Sequence, residues 1–357
     1  MGNDALTTER GRHTYEEITS QPEVWAQTLT EAHQKLDEVR AFLAQGMDDA
    51  LFIGCGSTYY LALAAASLLQ RLAGWRARGL PSSELWFYPE AVLGPARRPL
   101  LVAVSRSGTT TETLRAMEAF KAHGGSDVAV VTCYPDTPMA QVAQVVLSAP
   151  AAQEKSIAQT RSFASMYVLT QVLAGLAAGD DAYLAQLDRL PDAGRALLDN
   201  YSDLAERLGS DLGIDRAFFL GSGIYYGLAC ETMLKMKEMS LTYAEAFHFL
   251  EFRHGPKSMV NESTLVIGMV SDSAREHEVA VLREMRGLGA RVLAIAEEGT
   301  AEELGGADFV VTLNSGLPET ARGVLYLPLL QLMAYHRSMA KELDPDRPRN
   351  LDLVVHL

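Results

Sequence analysis

Short runs of apolar residues alternate along this chain with longer stretches in which apolar residues recur at helical spacing. Each short run is continuous in Val, Ile, Leu or Ala, so both faces of each predicted strand are expected to be buried. This pattern is typical of a parallel sheet covered by helices on both sides. The predicted strands of the first half are Asp49–Gly54, Pro99–Ser105, Asp127–Thr132 and Gln144–Ser148.

The same pattern then starts again in the second half of the chain. The two first strands and the turns that follow them align, so that Gly54, Gly56 and Tyr59 correspond to Gly221, Gly223 and Tyr226. A repeat of this length predicts two tandem domains of one fold, because solenoid repeats are much shorter. The predicted strands of the second half are Arg216–Gly221, Thr264–Ser271, Arg291–Ala296 and Asp308–Leu313.

The sequence thus predicts an α/β fold with two tandem domains, each a mostly parallel, doubly wound sheet flanked by helices. Residues 1–40 are expected to form a loose tail, to about residue 14, and a helix that runs on to about residue 45. The first domain is predicted to span residues 41–195 and the second domain residues 196–357. Further helices are predicted at about 160–178 and, connecting the domains, at about 186–212.

Composition and charge narrow the function classes. The chain has 357 residues, 48% apolar residues and a formal net charge of −14, so neither nucleic acid nor an anionic membrane is an expected partner. The three cysteines lack metal-ligand or paired spacing, and we expect neither a zinc site nor a disulfide framework. With no signal-peptide pattern or membrane span, the sequence predicts a cytoplasmic protein.

Hydroxyl-bearing residues follow the strand predicted at Pro99–Ser105, at the point where a helix begins. In open α/β sheets this is where ligands bind, and a helix N-terminus offers free N–H groups to an anion. An ordinary Ser/Thr helix cap is the alternative, and the spacing is neither a Walker loop nor a dinucleotide turn. A second glycine turn, at residues 54–58, is either another wall of that site or only a tight turn. The candidate phosphate-binding residues are Gly56, Ser57, Thr58, Ser105, Arg106, Ser107, Gly108 and Thr110.

The Ser-x-Ser-Gly-x-Thr pattern at residues 105–110, in a duplicated α/β chain, resembles the sugar isomerase (SIS) domain family. The second half resembles the isomerase domain of glucosamine-6-phosphate synthase and bacterial amino-sugar-phosphate deaminases, with the tagatose/galactosamine-6-phosphate branch most similar around residues 252–258. The segments that carry this resemblance are Leu234–Ser240, Ala244–Phe247, Glu251–Pro256 and Asp346–Leu351.

The resemblance implies roles for particular residues. Glu238 would transfer a proton between C2 and C1 of the sugar, His254 would assist ring opening, and Ile157 would line the pocket. Lys235 could hold Glu238 ionised or contact the substrate, and Glu245 could contact the sugar ring. The alternatives are a surface ion pair between Lys235 and Glu238, a structural histidine and a loop carboxylate. The resemblance implies no metal and no organic cofactor.

Two departures qualify the resemblance. Leu353 stands where the synthase has a lysine that holds the carbonyl form of the sugar. Asp272 and Glu276 lie in the second-half segment that corresponds to residues 105–110, and both are expected to repel phosphate. We therefore expect one site per chain, with phosphate bound by the first domain and chemistry supplied by the second. The resemblance also implies a homodimer in which His254 crosses the interface.

The function predicted from these features is deamination with isomerisation of a hexosamine 6-phosphate, glucosamine- or galactosamine-6-phosphate, to a ketose 6-phosphate and ammonia. A ketose–aldose phosphate isomerase and a fructosamine-6-phosphate deglycase are the enzymatic alternatives. A non-catalytic sugar-phosphate sensor is the third, although the acidic charge disfavours a DNA-binding version. No glutaminase nucleophile leads the chain, so glutamine-driven synthesis is not expected from it alone.

Overall fold

The computed structural model describes residues 10–94 and 99–353. Two parallel five-stranded sheets are flanked by helices, which confirms the predicted fold class and the duplication. The strands are β1 Asp49–Gly54, β2 Arg76–Pro81, β3 Leu100–Ser105, β4 Val128–Thr132, β5 Val145–Ser148, β6 Arg216–Leu220, β7 Tyr243–Phe247, β8 Thr264–Met269, β9 Arg291–Ala296 and β10 Phe309–Thr312.

Helices precede, connect and follow the strands. In the first half they are α1 Arg12–Thr19, α2 Gln21–His33, α3 Leu36–Leu43, α4 Ser57–Ala73, α5 Ser82–Phe87, α6 Pro89–Leu93, α7 Thr111–Ala122, α8 Pro138–Gln141, α9 Arg161–Ala178 and α10 Asp181–Leu187. They continue as α11 Leu190–Ser210, α12 Ile224–Ser240, α13 Phe249–Phe252, α14 Arg275–Gly287 and α15 Leu327–Ala340.

Both sheets have the same strand order. The first runs β2-β1-β3-β4-β5 and the second runs β7-β6-β8-β9-β10. In this order the chain reverses direction across the sheet between the first and third strands, and ligands of open α/β sheets bind beyond the carboxyl ends of those two strands. The loops after β1 and β3, and the loops after β6 and β8, therefore occupy the binding edge of their respective sheets.

The sequence pattern missed one strand in each sheet, β2 and β7, because neither has a continuous apolar run. The β2 sequence RARGLP and the β7 sequence YAEAF include charged residues and are only partly buried. Charged residues at an edge discourage further pairing. The opposite edge strands, β5 and β10, do have apolar runs and were predicted. Every residue of β3 is buried, and it too was predicted from its apolar run.

The predicted N-terminal helix is three helices, and the first begins inside the predicted tail, at Arg12. The carboxylate of Asp346 explains this early start. It accepts hydrogen bonds from the N–H of His13 (3.2 Å) and from the N–H and hydroxyl of Thr14 (both 2.7 Å). An acceptor more than 300 residues away satisfies the free N–H groups of α1 and is not visible in the local sequence. Residues 1–9 of the predicted tail lie outside the described residues.

Most of helix α9 is buried all round, as the apolar run in its sequence predicted. Among residues 10–94 and 99–353, no helix is both long and apolar enough to cross a membrane. The chain divides into two compact units. One unit comprises residues 20–94, 99–154, 161–191 and 352–353 and contains the first sheet. The other comprises residues 10–19, 155–160 and 192–351 and contains the second sheet.

Candidate active site

Residues Ser105–Thr110, called the first loop from here on, connect β3 to α7. The Ser105 hydroxyl accepts a hydrogen bond from the Gly108 N–H (3.1 Å) and lies 3.1 Å from the Thr110 hydroxyl. Gly108 has a φ of +65°, and a β-carbon at this position would fall 2.2 Å from the Thr137 hydroxyl. Glycine is therefore required here by both backbone conformation and space. These contacts fix the shape of the loop at the N-terminus of a twelve-residue helix.

The hydroxyl groups of the first loop do not cap helix α7. Thr110 is the N-cap residue, but its side chain makes no capping hydrogen bond. The Ser107 hydroxyl accepts hydrogen bonds from the N–H (3.3 Å) and the hydroxyl (3.0 Å) of Thr109. Ser107, Thr109 and Thr110 are all partly exposed. The ordinary-cap interpretation is thus wrong for Thr110, and the loop presents several hydroxyls where a helix N-terminus favours an anion.

Arg106 is committed to internal contacts. Its guanidinium lies 3.2 Å from the Glu154 carboxylate and donates to the carbonyl of Leu353 at 2.9 Å. Glu154 is fully buried and also accepts from the N–H (3.0 Å) and hydroxyl (2.5 Å) of Ser162. The residue that replaces the expected lysine therefore packs its backbone against the first loop, and Arg106 holds the loop to its surroundings.

The glycine turn after β1 is a tight turn closed by Thr58. The Thr58 hydroxyl accepts from the Cys55 N–H (2.9 Å) and donates to the Cys55 carbonyl (3.0 Å). A β-carbon on Gly54 would lie 2.4 Å from the Thr58 backbone, and Gly56 has a φ of +56°. Ser57 and Thr58 are buried. The hydroxyl of Thr58 is therefore used within the turn.

The same turn recurs after β6, where the aligned glycines keep their conformational roles. Gly223 has a φ of 57°, and a β-carbon on Gly221 would lie 2.5 Å from the Tyr225 carbonyl oxygen.

In the first sheet, Ile53 pairs with Ala103, so the turn after β1 and the first loop leave neighbouring strands at the same edge. The predicted turn and loop are thus brought together.

Helix α12 carries a cluster of three charged side chains on one face. Glu231, Lys235 and Glu238 are four and three residues apart, which aligns them along the helix. The Lys235 ammonium lies 2.5 Å from the Glu238 carboxylate and 3.4 Å from the Glu231 carboxylate. The Lys235 side chain is 1% exposed and that of Glu238 is 19% exposed. The ion pair therefore forms but is buried, and the surface-pair alternative is wrong.

Glu231 was not identified from the sequence, although its spacing could have revealed it. Its side chain is fully buried beside the Lys235 ammonium. Burying a carboxylate is costly unless a cation or hydrogen-bond donors accompany it. Glu231 precedes Lys235 by four residues, and Lys235 precedes the candidate base Glu238 by three. This E-x-x-x-K-x-x-E spacing places two carboxylates around one ammonium. It is the sequence pattern that could have identified Glu231.

His254 and Glu245 lie on different elements of the second sheet's unit. His254 is exposed in the turn after α13, where its N–H donates to the Glu251 carbonyl (2.9 Å) and Gly255 takes a φ of +122°. Glu245 lies on β7 and is partly buried, and its carboxylate accepts from the Tyr243 hydroxyl at 2.8 Å. The predicted roles of both residues stay predictions.

Ile157 lies in a short segment that the N-terminal helix holds in place. The Glu17 carboxylate, which is buried, accepts from the N–H groups of Lys155 (2.6 Å) and Ser156 (3.3 Å). The Ile157 N–H donates to the Asp346 carbonyl at 3.1 Å, and its side chain is partly buried. This anchoring supports a fixed position for the residue that the resemblance assigns to the pocket wall.

The cysteines do not contribute a nucleophile. Burial raises the pKa of the Cys230 thiol to about 11 and also raises the pKa of the Cys55 and Cys133 thiols. At neutral pH all three are therefore protonated, and the thiolate is the reactive form. Across residues 10–94 and 99–353, no group of three or more His, Cys, Asp or Glu residues could hold a metal ion.

Comparison with a protein-family profile supports the duplicated α/β fold described above. A sequence profile described as the SIS domain matches residues 46–176 and 213–340. The chain belongs to the SIS domain family. The two matched segments contain both sheets, the first loop and helix α12 of this SIS-domain chain.

Several relatives are similar over nearly the whole chain. Glutamine–fructose-6-phosphate aminotransferase (isomerizing) from Xylella fastidiosa is 30% identical over 94% of this chain, and the enzyme of that name from Symbiobacterium thermophilum is 31% identical over 91%. The chain spans 57% and 53%, respectively, of the length of these relatives.

Two solved structures are also similar. The tagatose-6-phosphate ketose/aldose isomerase of Escherichia coli has a TM-score of 0.85 and 25% identity, covering 96% of each chain. The glucosamine-6-phosphate deaminase of Thermotoga maritima has a TM-score of 0.72 and 27% identity, covering 92% of this chain and 99% of its own.

Proposed function

We propose that this protein is a phosphosugar isomerase and deaminase that converts a hexosamine 6-phosphate to a ketose 6-phosphate and ammonia. The observation that carries the proposal is the buried cluster on α12, in which Lys235 lies between Glu231 and Glu238. Of the two carboxylates, only that of Glu238 is partly exposed, so it is the one that can reach a substrate. A charged cluster buried in this way is uncommon outside functional sites.

The proposed reaction starts from the open-chain amino sugar, in which C1 is an aldehyde and C2 carries the amine. Glu238 removes the proton from C2, and the electron pair of that bond forms a double bond between C2 and C1. The π pair of the C1 carbonyl moves to its oxygen, which takes a proton, so the intermediate is an enolamine with a hydroxyl on C1. Reprotonation at C1 leaves a ketiminium ion at C2. One water adds to C2 and one ammonia leaves, which gives the ketose. Proton transfer by a positioned carboxylate accelerates such steps by about 10²–10⁴-fold.

In this mechanism Lys235 is a positioning residue for Glu238. Its ammonium makes a 2.5 Å contact with the Glu238 carboxylate, and its side chain is almost wholly buried. The lysine is thereby fixed by packing and by Glu231, and it orients the carboxylate toward its exposed side. His254 would give a proton to the ring oxygen during ring opening, while the anomeric hydroxyl loses its own, because an imidazole can act as an acid or a base. Its exposure is compatible with reaching a substrate.

The first loop would bind the phosphate group. Ser107, Thr109 and Thr110 are partly exposed and bear hydroxyls at the N-terminus of α7. Hydroxyl donors together with helix N–H groups suit a phosphate dianion, and the fixed shape of the loop lowers the entropic cost of binding it. The buried ion pair between Arg106 and Glu154 supports this loop from beneath rather than adding a free cation.

A plain ketose–aldose phosphate isomerase is the second candidate, favoured by the similarity to the tagatose-6-phosphate enzyme of Escherichia coli. Plain isomerisation uses the same proton transfer by Glu238 but releases no ammonia, because C2 bears a hydroxyl. A deglycase acting on fructosamine 6-phosphates would release an amine instead. The product, rather than the base, therefore distinguishes the three reactions.

The test is a substrate panel with two readouts. Purified protein is incubated with glucosamine 6-phosphate, galactosamine 6-phosphate, tagatose 6-phosphate and a fructosamine 6-phosphate, and both ammonia and ketose are measured. We expect ammonia from one of the two hexosamine phosphates. If neither yields ammonia, the deaminase proposal is wrong, and ketose–aldose conversion alone would favour the second candidate. Sugar-phosphate binding with no turnover of any substrate would favour a sensor.

The same panel tests the base. Glu238→Gln keeps the size and shape of the side chain but removes its basicity, and we expect turnover to fall about 10²–10⁴-fold with little change in phosphate binding. Glu262→Gln, at an exposed position before β8, is the matched control and should keep full activity. Full activity in Glu238→Gln would show that another group transfers the proton.

We further propose that the protein is a cytoplasmic homodimer to which each chain contributes His254 across the interface. The exposure of His254 in its own chain supports this proposal. Mixing an inactive Glu238→Gln chain with an inactive His254→Ala chain tests it. If the histidine acts in the neighbouring subunit, mixed dimers regain about one active site in two. If mixed dimers form and stay inactive, the crossing is wrong.

A further inference from the structure

The loop after β8 keeps the framework of the first loop. Residues Ser271–Glu276, called the second loop, connect β8 to α14 as the first loop connects β3 to α7. The Ser271 hydroxyl accepts from the Ala274 N–H at 3.1 Å, which reproduces the 3.1 Å contact between Ser105 and Gly108. The second loop has therefore kept its internal hydrogen bond although glycine is replaced by alanine.

One carboxylate fills the second loop. An oxygen of Glu319 accepts three hydrogen bonds, from the N–H of Asp272 (3.1 Å), the N–H of Ser273 (3.0 Å) and the hydroxyl of Ser273 (2.9 Å). Consecutive backbone N–H groups joined by a hydroxyl, ahead of a helix, form the kind of concavity that binds phosphate oxygens. Here the bound oxygen belongs to the chain itself, and Glu319 is 7% exposed.

The neighbouring charges are arranged around this carboxylate. The Arg322 guanidinium donates to both oxygens of Asp272, at 2.6 and 2.8 Å, and also lies 3.7 Å from Glu297. Asp272 was expected to repel phosphate, but the guanidinium of Arg322 balances its charge. Glu319 and Arg322 are three residues apart, so one segment supplies both the anion for the loop N–H groups and the cation for Asp272.

The second loop borders open space. A cavity of about 570 Å³ has both cationic and anionic side chains in its lining, which includes Asp272, Ser273, Arg275, Glu276, Arg283 and Glu303. Ser273 is itself exposed, so its hydroxyl can be reached from this cavity. A small anion could therefore enter if the Glu319 carboxylate were absent. Glu276 is exposed in the first turn of α14, and it takes no part in the three hydrogen bonds to Glu319.

We propose that the second loop is an oxyanion-binding site whose ligand is the Glu319 carboxylate, and that this internal ligand keeps phosphate groups out of the second half. The inference rests on the second loop alone and does not require the reaction proposed above. It assigns to Glu319 the place that a phosphate oxygen would take in a working loop. Removing the carboxylate should turn the second loop into a site for inorganic phosphate.

The test measures phosphate binding by the full chain. A background variant with Ser107→Ala and Thr110→Ala removes two of the three partly exposed hydroxyls of the first loop. Phosphate binding at the first loop is thereby weakened and does not obscure the result. In this background we expect Glu319→Ala to bind inorganic phosphate with a Kd of about 1 mM or below, measured by calorimetry. Binding to the parent background should be at least about tenfold weaker, since its carboxylate remains.

Two further variants locate the gain. Adding Ser273→Ala to Glu319→Ala should abolish it, because the hydroxyl donor is lost. Glu319→Gln keeps an acceptor oxygen of the same size in the loop and should gain little. We also expect Glu319→Ala to melt at a lower temperature than its background and phosphate to restore the loss. A lower melting temperature without rescue by phosphate would show that Glu319 is only a structural brace, and the proposal would be wrong.

The two proposals fail separately. The first loop is tested by phosphate binding to the unmodified chain and by the loss of that binding when Ser107 and Thr110 are substituted. A gain of binding in Glu319→Ala concerns the second loop only. Phosphate binding that persists unchanged in every variant would place the ligand elsewhere and would overturn both assignments.

Discussion

The first and second loops share a backbone plan and carry opposite charges. Each follows the third strand of its sheet, and in each a serine hydroxyl accepts an N–H three residues later at 3.1 Å. The next residue is Arg106 in the first loop, paired with the buried Glu154, and Asp272 in the second, paired with the buried Arg322. The polarity of the ion pair is therefore reversed between the halves.

The reversal changes what each loop can bind. In the first loop the Ser107 hydroxyl accepts hydrogen bonds from the N–H and the hydroxyl of Thr109, within the loop itself. In the second, the Ser273 hydroxyl donates to Glu319. The two loops therefore share a hydrogen-bonded framework, but the second is filled by a carboxylate of the chain itself, whereas we propose that the first binds an external anion.

The largest expected difference concerns the two ion pairs. Glu154→Gln leaves the Arg106 guanidinium buried beside a neutral amide, and we expect a loss of about 3 kcal/mol in the free energy of unfolding. Asp272→Asn should cost at most about 1 kcal/mol, because the Asp272 side chain is 53% exposed and Arg322 keeps Glu297 at 3.7 Å. Urea unfolding of both variants measures the difference. Equal losses would contradict the distinction between the pairs.

A smaller difference is expected at the glycine position of the loops. Gly108→Ala places a β-carbon 2.2 Å from the Thr137 hydroxyl at a φ of +65°, and we expect a cost of about 1–3 kcal/mol and weaker phosphate binding. Ala274 has a φ of −124°, so Ala274→Gly should cost no more than about 1 kcal/mol and leave phosphate binding unchanged.

A double variant separates the two causes of this effect. Adding Thr137→Gly to Gly108→Ala removes both the hydroxyl (2.2 Å) and the β-carbon (2.7 Å) of Thr137 from the new side chain but leaves the strained backbone. Part of the lost phosphate binding should then return, as isothermal titration with inorganic phosphate would show. If Gly108→Ala bound phosphate as well as the unmodified chain, the shape of the first loop would not matter for binding.

The core of the fold was predictable because its strands are buried on both faces. β3 and β8 are buried along their whole lengths, and both were predicted from continuous apolar runs. The edge strands β5 and β10 were also predicted, because each has an apolar run. β2 and β7 lack such a run, and their pairing partners, rather than their own composition, make them strands.

The candidate residues divide in the same way. Lys235 and Glu238 stand in one helix, so their contact follows from their spacing, whereas their burial depends on the elements that pack over α12. The partners of the loops come from distant segments: Glu154 for Arg106, and Arg322 for Asp272. The sequence therefore suggested repulsion at Asp272, because its compensating cation lies 50 residues away.

The smallest expected difference is a pH dependence at Glu278, one of two glutamates in the first turn of α14. Its carboxylate is buried and accepts from the N–H (2.6 Å) and the hydroxyl (2.9 Å) of Ser271. Burial raises the pKa of Glu278 above its ordinary value, and the hydrogen bonds from Ser271 offset this only in part. A raised pKa in the folded state stabilises the protein below the unfolded pKa, and this contribution is lost as pH rises through the folded value.

Glu278→Gln removes this titration while its amide oxygen can still accept from Ser271. We therefore expect the unfolding free energy of Glu278→Gln, relative to the unmodified chain, to increase as the pH rises above about 4, where an unperturbed glutamate titrates, and through the raised folded value. Glu112 follows Ser105 in the sequence by the same number of residues as Glu278 follows Ser271. Glu112→Gln, in α7, is therefore the matched substitution beside the first loop. Urea unfolding at several pH values measures both differences. A difference for Glu278→Gln that does not change with pH would show that its carboxylate titrates alike in the folded and unfolded chain, and burial would then not distinguish the second loop from the first.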